Sequence, residues 1–289
     1  MLQLSNEQLS ITIAEKGAEL QSLTRKDLRQ EYLWSGDPAF WGKKSPVLFP
    51  VVGGLKQNSY RYNGQTYTLG RHGFARDRVF TVVEQTADTL RLQLVNDAGT
   101  LQVYPFPFRF EITYTLQGTQ LTVTYKVLNT GDGPLFFSVG GHPAFKVPLA
   151  PGTAYEDYYL YFNQAEDAGR WPLSPDGLIE RMPQPLLEHS HALPLTKPLF
   201  YEDALVLKAL ASDTVTLKSD KTPHGLEFHF GGFPYLGIWA AKDADFVCIE
   251  PWCGIADHVD ASGELEEKEG IMRLEAGEVF EKAWWVRVF

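Results

Sequence analysis

Between Phe108 and Val127 apolar and polar residues alternate almost without a break. Phe108, Phe110, Ile112, Tyr114 and Leu116 fall on one side, and Arg109, Glu111, Thr113 and Thr115 on the other. After a turn at Gly118, Leu121, Val123, Tyr125 and Val127 alternate with Thr122, Thr124 and Lys126. A period of two in aromatic and β-branched residues marks half-buried strands. The pattern also appears at Leu9, Ile11 and Ile13, at Leu90, Leu92 and Leu94, and later at 204–208, 215–218, 226–230, 236–240, 247–249 and 279–289. Gly17 breaks the first strand, and Leu20 and Leu23 begin a second. Asn63-Gly64, flanked by Tyr60-Arg61-Tyr62 and Thr66-Tyr67-Thr68, predicts a tight hairpin, because both turn positions tolerate positive φ. Asp37-Pro38 predicts the cap and first turn of a short helix. The proline-broken apolar run Pro46 to Gly54 predicts buried loop or edge strand.

No segment of ten residues carries a helical stripe. Many short strands with frequent turns predict an all-β sandwich or barrel. The alternation fades between Pro148 and Lys197, where prolines and turn residues dominate. That region reads as a loop-rich excursion with one short strand at 158–162, suited to shaping one wall of a site. Without repeats or a low-complexity linker, residues 1–289 are expected to form a single domain.

Composition narrows the function. The 289 residues carry a net charge of -10 and no Lys/Arg-rich block, which disfavours nucleic acid as a partner. Cys248 and Cys253 are the only cysteines, too few for a disulfide scaffold. The N-terminus lacks a basic stretch followed by an apolar run, and no apolar run is long enough to span a bilayer. A cytoplasmic setting with no membrane partner is expected.

Two stretches hold the densest chemistry. Ser138-Val139-Gly140-Gly141-His142-Pro143 follows strand-like sequence, and its glycines and proline would hold one imidazole at a stiff bend. That histidine is either a proton carrier near neutral pH or a buried residue bonded to a carbonyl. Glu250 ends the apolar run Val247-Cys248-Ile249, just before Pro251-Trp252. Desolvation there would raise its pKa and make it a better base. Pairing with an arginine or with backbone is the plainer reading of the residue alone. Arg71-His72-Gly73-Phe74-Ala75-Arg76-Asp77 is unusually polar for a loop between strands. Asp203 precedes a strand and either accepts bonds from ligand hydroxyls or caps a turn. His189 and His191 have the spacing of a metal pair, but no third ligand is apparent and a surface pair is expected. The cysteines have no matching ligand pattern and are expected to pack in the interior. No phosphate-cradling glycine loop and no Gly-x-Ser-x-Gly elbow is present.

Taken in order, Pro46-Val47-Leu48-Phe49-Pro50, His72-Gly73-Phe74-Ala75-Arg76-Asp77, Gly141-His142-Pro143-Ala144-Phe145, Asp203-Ala204-Leu205 and Cys248-Ile249-Glu250-Pro251-Trp252-Cys253-Gly254 resemble the aldose 1-epimerase (mutarotase) family, in its LacX-like branch. The resemblance implies a large antiparallel β-sandwich of the galactose-mutarotase type, an open cleft on one sheet, and an isomerase with no cofactor and no metal. It implies His142 as general acid and Glu250 as general base. His72 matches a second active-site histidine, Asp203 an aspartate that binds sugar hydroxyls, and Arg76 a sugar-site arginine. Gly54 departs from the pattern, since relatives commonly carry arginine there; Arg71 is the candidate replacement.

The chemistry accounts for these residue types. Exchange of α and β anomers of an aldose needs a proton removed from the C1 hydroxyl and one delivered to the ring oxygen. The ring then opens, C1 rotates and the ring closes with the roles reversed. A carboxylate and an imidazolium, expected on opposite sides of the sugar, suffice. Phe74, Phe145 and Trp252 are candidates for an aromatic wall, or else core. Two alternatives stand beside a hexose epimerase. One is a sugar-phosphate mutarotase, served by Lys43, Lys44, Lys56, Arg71 and Arg76. The other is a sugar-binding sensor without turnover, against which the paired His142 and Glu250 argue. A small-molecule sugar is the expected partner of a monomer or homodimer.

Overall fold

A computed structural model describes residues 1–289. Its strands form two large antiparallel sheets packed face to face. One has nine strands, in the order Gln184–Pro194, Tyr158–Arg170, Thr214–Ser219, Thr222–His229, Val279–Val288, Gln120–Asn129, Phe108–Gln117, Thr89–Val95 and Thr81–Gln85. The other has six: Leu205–Lys208, Tyr235–Trp239, Phe246–Cys253, Val139–Gly141 and Val47–Leu48 in order, with Ala144–Lys146 also paired to Phe246–Cys253. A four-stranded sheet from Leu2 to Glu31 flanks them. With 51% strand and 8% helix, the chain has the all-β architecture that its alternation predicts and the β-sandwich that the resemblance implies.

The pairing follows the pattern. Phe110 lies opposite Val127 and Ile112 opposite Tyr125, so the apolar sets of both strands share one face. That face meets the smaller sheet through rings such as Phe49 stacked on Phe110 at 4.5 Å and Phe145 against Phe228 at 5.8 Å. Seventy-one buried residues join in one core cluster. Each fully buried large side chain contributes about 1.5–3 kcal/mol against exposure. A smaller cluster of Leu48, Val52, Ile179, Val206, Trp252, Ile255 and Ala256 lies apart from this core.

Two expectations change. The excursion between Pro148 and Lys197 holds a long hairpin, Tyr158–Arg170 paired with Gln184–Pro194, not one short strand. Its register shifts after Tyr161, Glu166 and Ala168, and each bulge resets the phase of the alternation. Pro185 fits because this is an edge strand. Asp37-Pro38 opens only a turn, in which Asp37 Oδ1 accepts from the Ala39 amide at 2.9 Å. The predicted hairpin forms as expected, with Asn63 and Gly64 at φ 49° and 74°.

Candidate active site

A cavity of about 790 Å³ opens over the six-stranded sheet. Its floor is set by the pairing of Phe246–Cys253. Every residue of that strand is buried, so the sequence there shows an apolar run instead of alternation. Gly140 pairs with Trp252 and Ala144 with Cys248, which brings His142 across from Glu250. The two glycines before His142 are required by close approach. A Cβ on Gly140 would lie 2.6 Å from the Trp252 ring, and one on Gly141 2.8 Å from the Tyr125 hydroxyl.

His142 Nε2 lies 3.3 Å from Glu250 Oε2, with side chains only 10% and 2% exposed. The two therefore stand side by side, not on opposite sides of a ligand space. The imidazole stacks on Trp41 at 4.9 Å and meets the edge of Trp239 at 5.6 Å. Burial pushes the Glu250 carboxyl well above the usual range, and the charge of Asp203 adds to this; the nearby Trp252 side chain and Arg71 pull it back. Burial also lowers His142 to about 3, with Arg76 and Arg71 opposing its protonation, although a backbone hydrogen bond partly offsets the shift. Both groups thus favour their uncharged forms, so together they hold one ionisable proton. Glu250 Oε2, His142 Nδ1 and the Trp252 indole nitrogen are buried and make no hydrogen bond within the protein.

His72 approaches His142 edge-on at 5.8 Å. Its Nδ1 accepts from the Gly53 amide at 3.1 Å, which puts its own proton on Nε2. Burial and the neighbouring His142, Arg76 and Arg71 keep it neutral. His72 and Asp203 hold φ of 67° and 85°, a left-handed conformation that costs a non-glycine residue of the order of 1–3 kcal/mol. Asp203 serves a turn, where Oδ1 accepts from the Ala204 amide at 2.8 Å, yet it also lines the cavity.

Arg71, Arg76 and Arg170 line the same space. The Arg71 guanidinium lies 3.8 Å from Asp203 and presses on Gly177, where a Cβ would fall 1.5 Å from Nη2. A Cβ on Gly54 would sit 3.4 Å from the Gly177 carbonyl. A Cβ at residue 54 would thus be in ordinary contact with the loop that carries Gly177, while Arg71 brings a guanidinium beside Asp203. This loop belongs to the excursion singled out as a wall.

Of the eight candidate side chains, the six polar ones just described line the cavity, and Trp252 joins them. Phe74 does not. Its ring turns into the core against Phe49, Tyr104 and Phe108, at 6.3, 6.1 and 6.0 Å. Phe145 is likewise core, 1% exposed. The aromatic lining beyond Trp252 comes from Trp41 and Trp239, which the sequence reading did not single out. Trp239 lies two residues beyond Gly237, the partner of Glu250, on the same strand face, a placement that only the pairing reveals. Trp41 sits in a loop and had no signal.

His189 pairs with exposed Asp167 at 2.8 Å, while His191 stacks on Tyr161, and neither lines the cavity. Donor atoms of His142, Cys248 and Glu250 instead lie within 4.8 Å of one another. Burial raises the thiols of Cys248 and Cys253, as packing implies. No helix is long and apolar enough to cross a membrane.

A twisted β-sandwich with a cleft over its smaller sheet is the architecture of the galactose mutarotase-like proteins. A galactose mutarotase related enzyme from Lactobacillus acidophilus is 34% identical, with a TM-score of 0.95 over 100% of this chain and 97% of its own. A galactose mutarotase-like protein from Lactobacillus casei is 32% identical, with a TM-score of 0.92 over all of both chains. The family model for aldose 1-epimerase matches residues 1–273, and the chain belongs to that family. Protein LacX of Lactococcus lactis subsp. lactis is 33% identical over 282 residues, 94% of each chain.

Proposed function

We propose that this protein interconverts the anomers of an aldose, with Glu250 and His142 as its acid/base pair. The observation that carries this reading is the 3.3 Å approach of His142 Nε2 to Glu250 Oε2 on the cavity floor. The two oxygens that exchange protons in anomerisation, the C1 hydroxyl and the ring oxygen, are bonded to the same carbon. One neighbouring acid and base can therefore serve both oxygens, and a pair holding one ionisable proton suits the reaction. One member accepts the proton of the C1 hydroxyl while the other delivers its proton to the ring oxygen. Ring closure on the other face reverses the two transfers. Nε2–H of His72 donates to a sugar hydroxyl, and the carboxylate of Asp203 accepts from one. Trp41, Trp239 and Trp252 offer the apolar sugar face its wall. Only proton transfers are needed, so turnover is expected to persist in excess chelator.

A second reading of the substrate, an acidic sugar such as a sugar phosphate, is favoured by the arginines. Arg170 is tied to Glu202 at 2.8 Å, but Arg71 has no carboxylate closer than 3.8 Å. Arg76 lies 3.9 Å from Asp77, which Lys16 and Lys43 also approach at 3.9 and 4.0 Å. In a chain of net charge -10, three arginines face Glu202, Asp203 and Glu250 in this cavity, so its lining is balanced where the chain as a whole is acidic. Lys44 and Lys56 contribute nothing to it, as their ammonium groups bond the Gln21 and Ala261 carbonyls. Anomer exchange followed by NMR over free hexoses, uronates and hexose phosphates tests both readings. Turnover of any aldose supports the epimerase. A kcat/KM higher for acidic sugars, and lost selectively in Arg76→Ala, supports the second reading. Absence of turnover across the panel contradicts both.

A further inference from the structure

The floor of the cleft carries a donor set that proton transfer does not use in full. His142, Cys248 and Glu250 offer one nitrogen, one sulfur and one oxygen within 4.8 Å of one another. All three are buried, at 8%, 0% and 1% exposure. Cys248 and Glu250 are two apart on the same strand, so they project from one face. The contact between His142 and Glu250 is unusual. At 3.3 Å it is longer than a normal charge-assisted hydrogen bond, and Glu250 Oε2 makes none. Zinc binds imidazole nitrogen at about 2.0–2.1 Å and carboxylate oxygen at about 2.0–2.2 Å, which at the tetrahedral angle separates the two donors by roughly 3.3–3.5 Å. The observed spacing matches that bite. A thiolate at about 2.3 Å from the same ion would stand roughly 3.6 Å from the nitrogen; the sulfur here lies no farther than 4.8 Å from it, so closing the site asks the thiol to move inward by at most about 1.2 Å.

We propose that His142, Cys248 and Glu250 form a three-donor site for a soft divalent cation of the zinc class, with its fourth position open to the cleft. Three protein ligands and one open position define zinc sites that keep an exchangeable water. Thiolate and imidazole select zinc or cadmium over magnesium or calcium. On binding, the ion replaces the thiol proton and the proton shared by His142 and Glu250, and both are released to solvent. No redox change occurs. Occupancy removes both the acid and the base, so the ion is a reversible inhibitor that competes with sugar. The inhibition rests on the epimerase reading; the binding does not.

Cadmium and zinc, added singly to the chelator-treated full chain, test the site. A cadmium–thiolate ultraviolet band should saturate at one ion per chain, persist in Cys253→Ala and vanish in Cys248→Ala. Cys248→Ser replaces the alanine variant if that one does not fold. Under the epimerase assay, Cys248→Ala should turn over sugar at the parental rate. It should need at least about tenfold more zinc for half-inhibition, as loss of a ligand exceeds the 10–100-fold effect of losing a supporting residue. A saturating substrate should protect the parent enzyme. No band in the parent, or equal zinc sensitivity of parent and Cys248→Ala, would overturn the site. If no sugar is turned over, the epimerase reading fails, while the cadmium band still decides the metal site.

Discussion

At the scale of residues, environment decides what Glu250 and His142 can do. Free glutamate and histidine ionise near 4.5 and 6.5, and here burial drives the two apart in the opposite order, the carboxyl upward and the imidazole to about 3. Under the proposed acid/base reading only a pair holding one proton can turn over sugar; one holding two has no base, and one holding none has no acid. Rate should therefore fall at low pH as the second proton enters, towards about 3, and at high pH as the shared proton leaves, above the ordinary carboxylate range. Anomer exchange across pH, corrected for the uncatalysed reaction, should give a bell broader than one bounded by 4.5 and 6.5. An acid limb centred near 6.5 would mean that burial does not govern His142. Asp203 carries charge without a place in the proton path. Asp203→Asn should raise KM severalfold with kcat little changed, and a loss confined to kcat would contradict that role. The polar residues were singled out by the ordered motifs of the family resemblance, since Glu250 and Asp203 taken alone read as readily as a strand-end pair and a turn cap. The aromatics were not, because Phe74 and Trp239 look equally fit for core or cleft until the chain direction is known.

At the scale of elements, strand existence was readable wherever one face is buried and the other wet, as in Phe108–Gln117 and Gln120–Asn129. It failed in Tyr158–Arg170 and Gln184–Pro194, where edge exposure and successive bulges scramble the period. That hairpin leads into the loop carrying Gly177, which packs on Arg71. Gly177 has φ 74°, and a methyl group there would occupy the guanidinium position. Gly177→Ala should cost about 1–3 kcal/mol in thermal or denaturant unfolding. It should also weaken sugar binding by displacing Arg71, measurable as a raised KM. Unchanged KM and unchanged stability would show that the loop does not hold Arg71 in place.

At the scale of the whole molecule, both large sheets build the core, and the smaller one positions the proposed acid/base pair. The register of three short strands brings His142 opposite Glu250, although 107 intervening residues separate them in the chain. Ordered motifs reveal such residues, but not their distance, and the expectation of acid and base on opposite sides of the sugar gave way to a contact of 3.3 Å. The central claim is that this contact is a working acid/base pair. The most direct test is NMR measurement of anomer exchange on a sugar that the parent protein turns over, with Glu250→Gln and His142→Asn compared under the same conditions. Each variant should be about 10²–10⁴-fold slower while retaining the parental fold and still binding sugar. Near-parental exchange by both correctly folded variants would contradict the assignment.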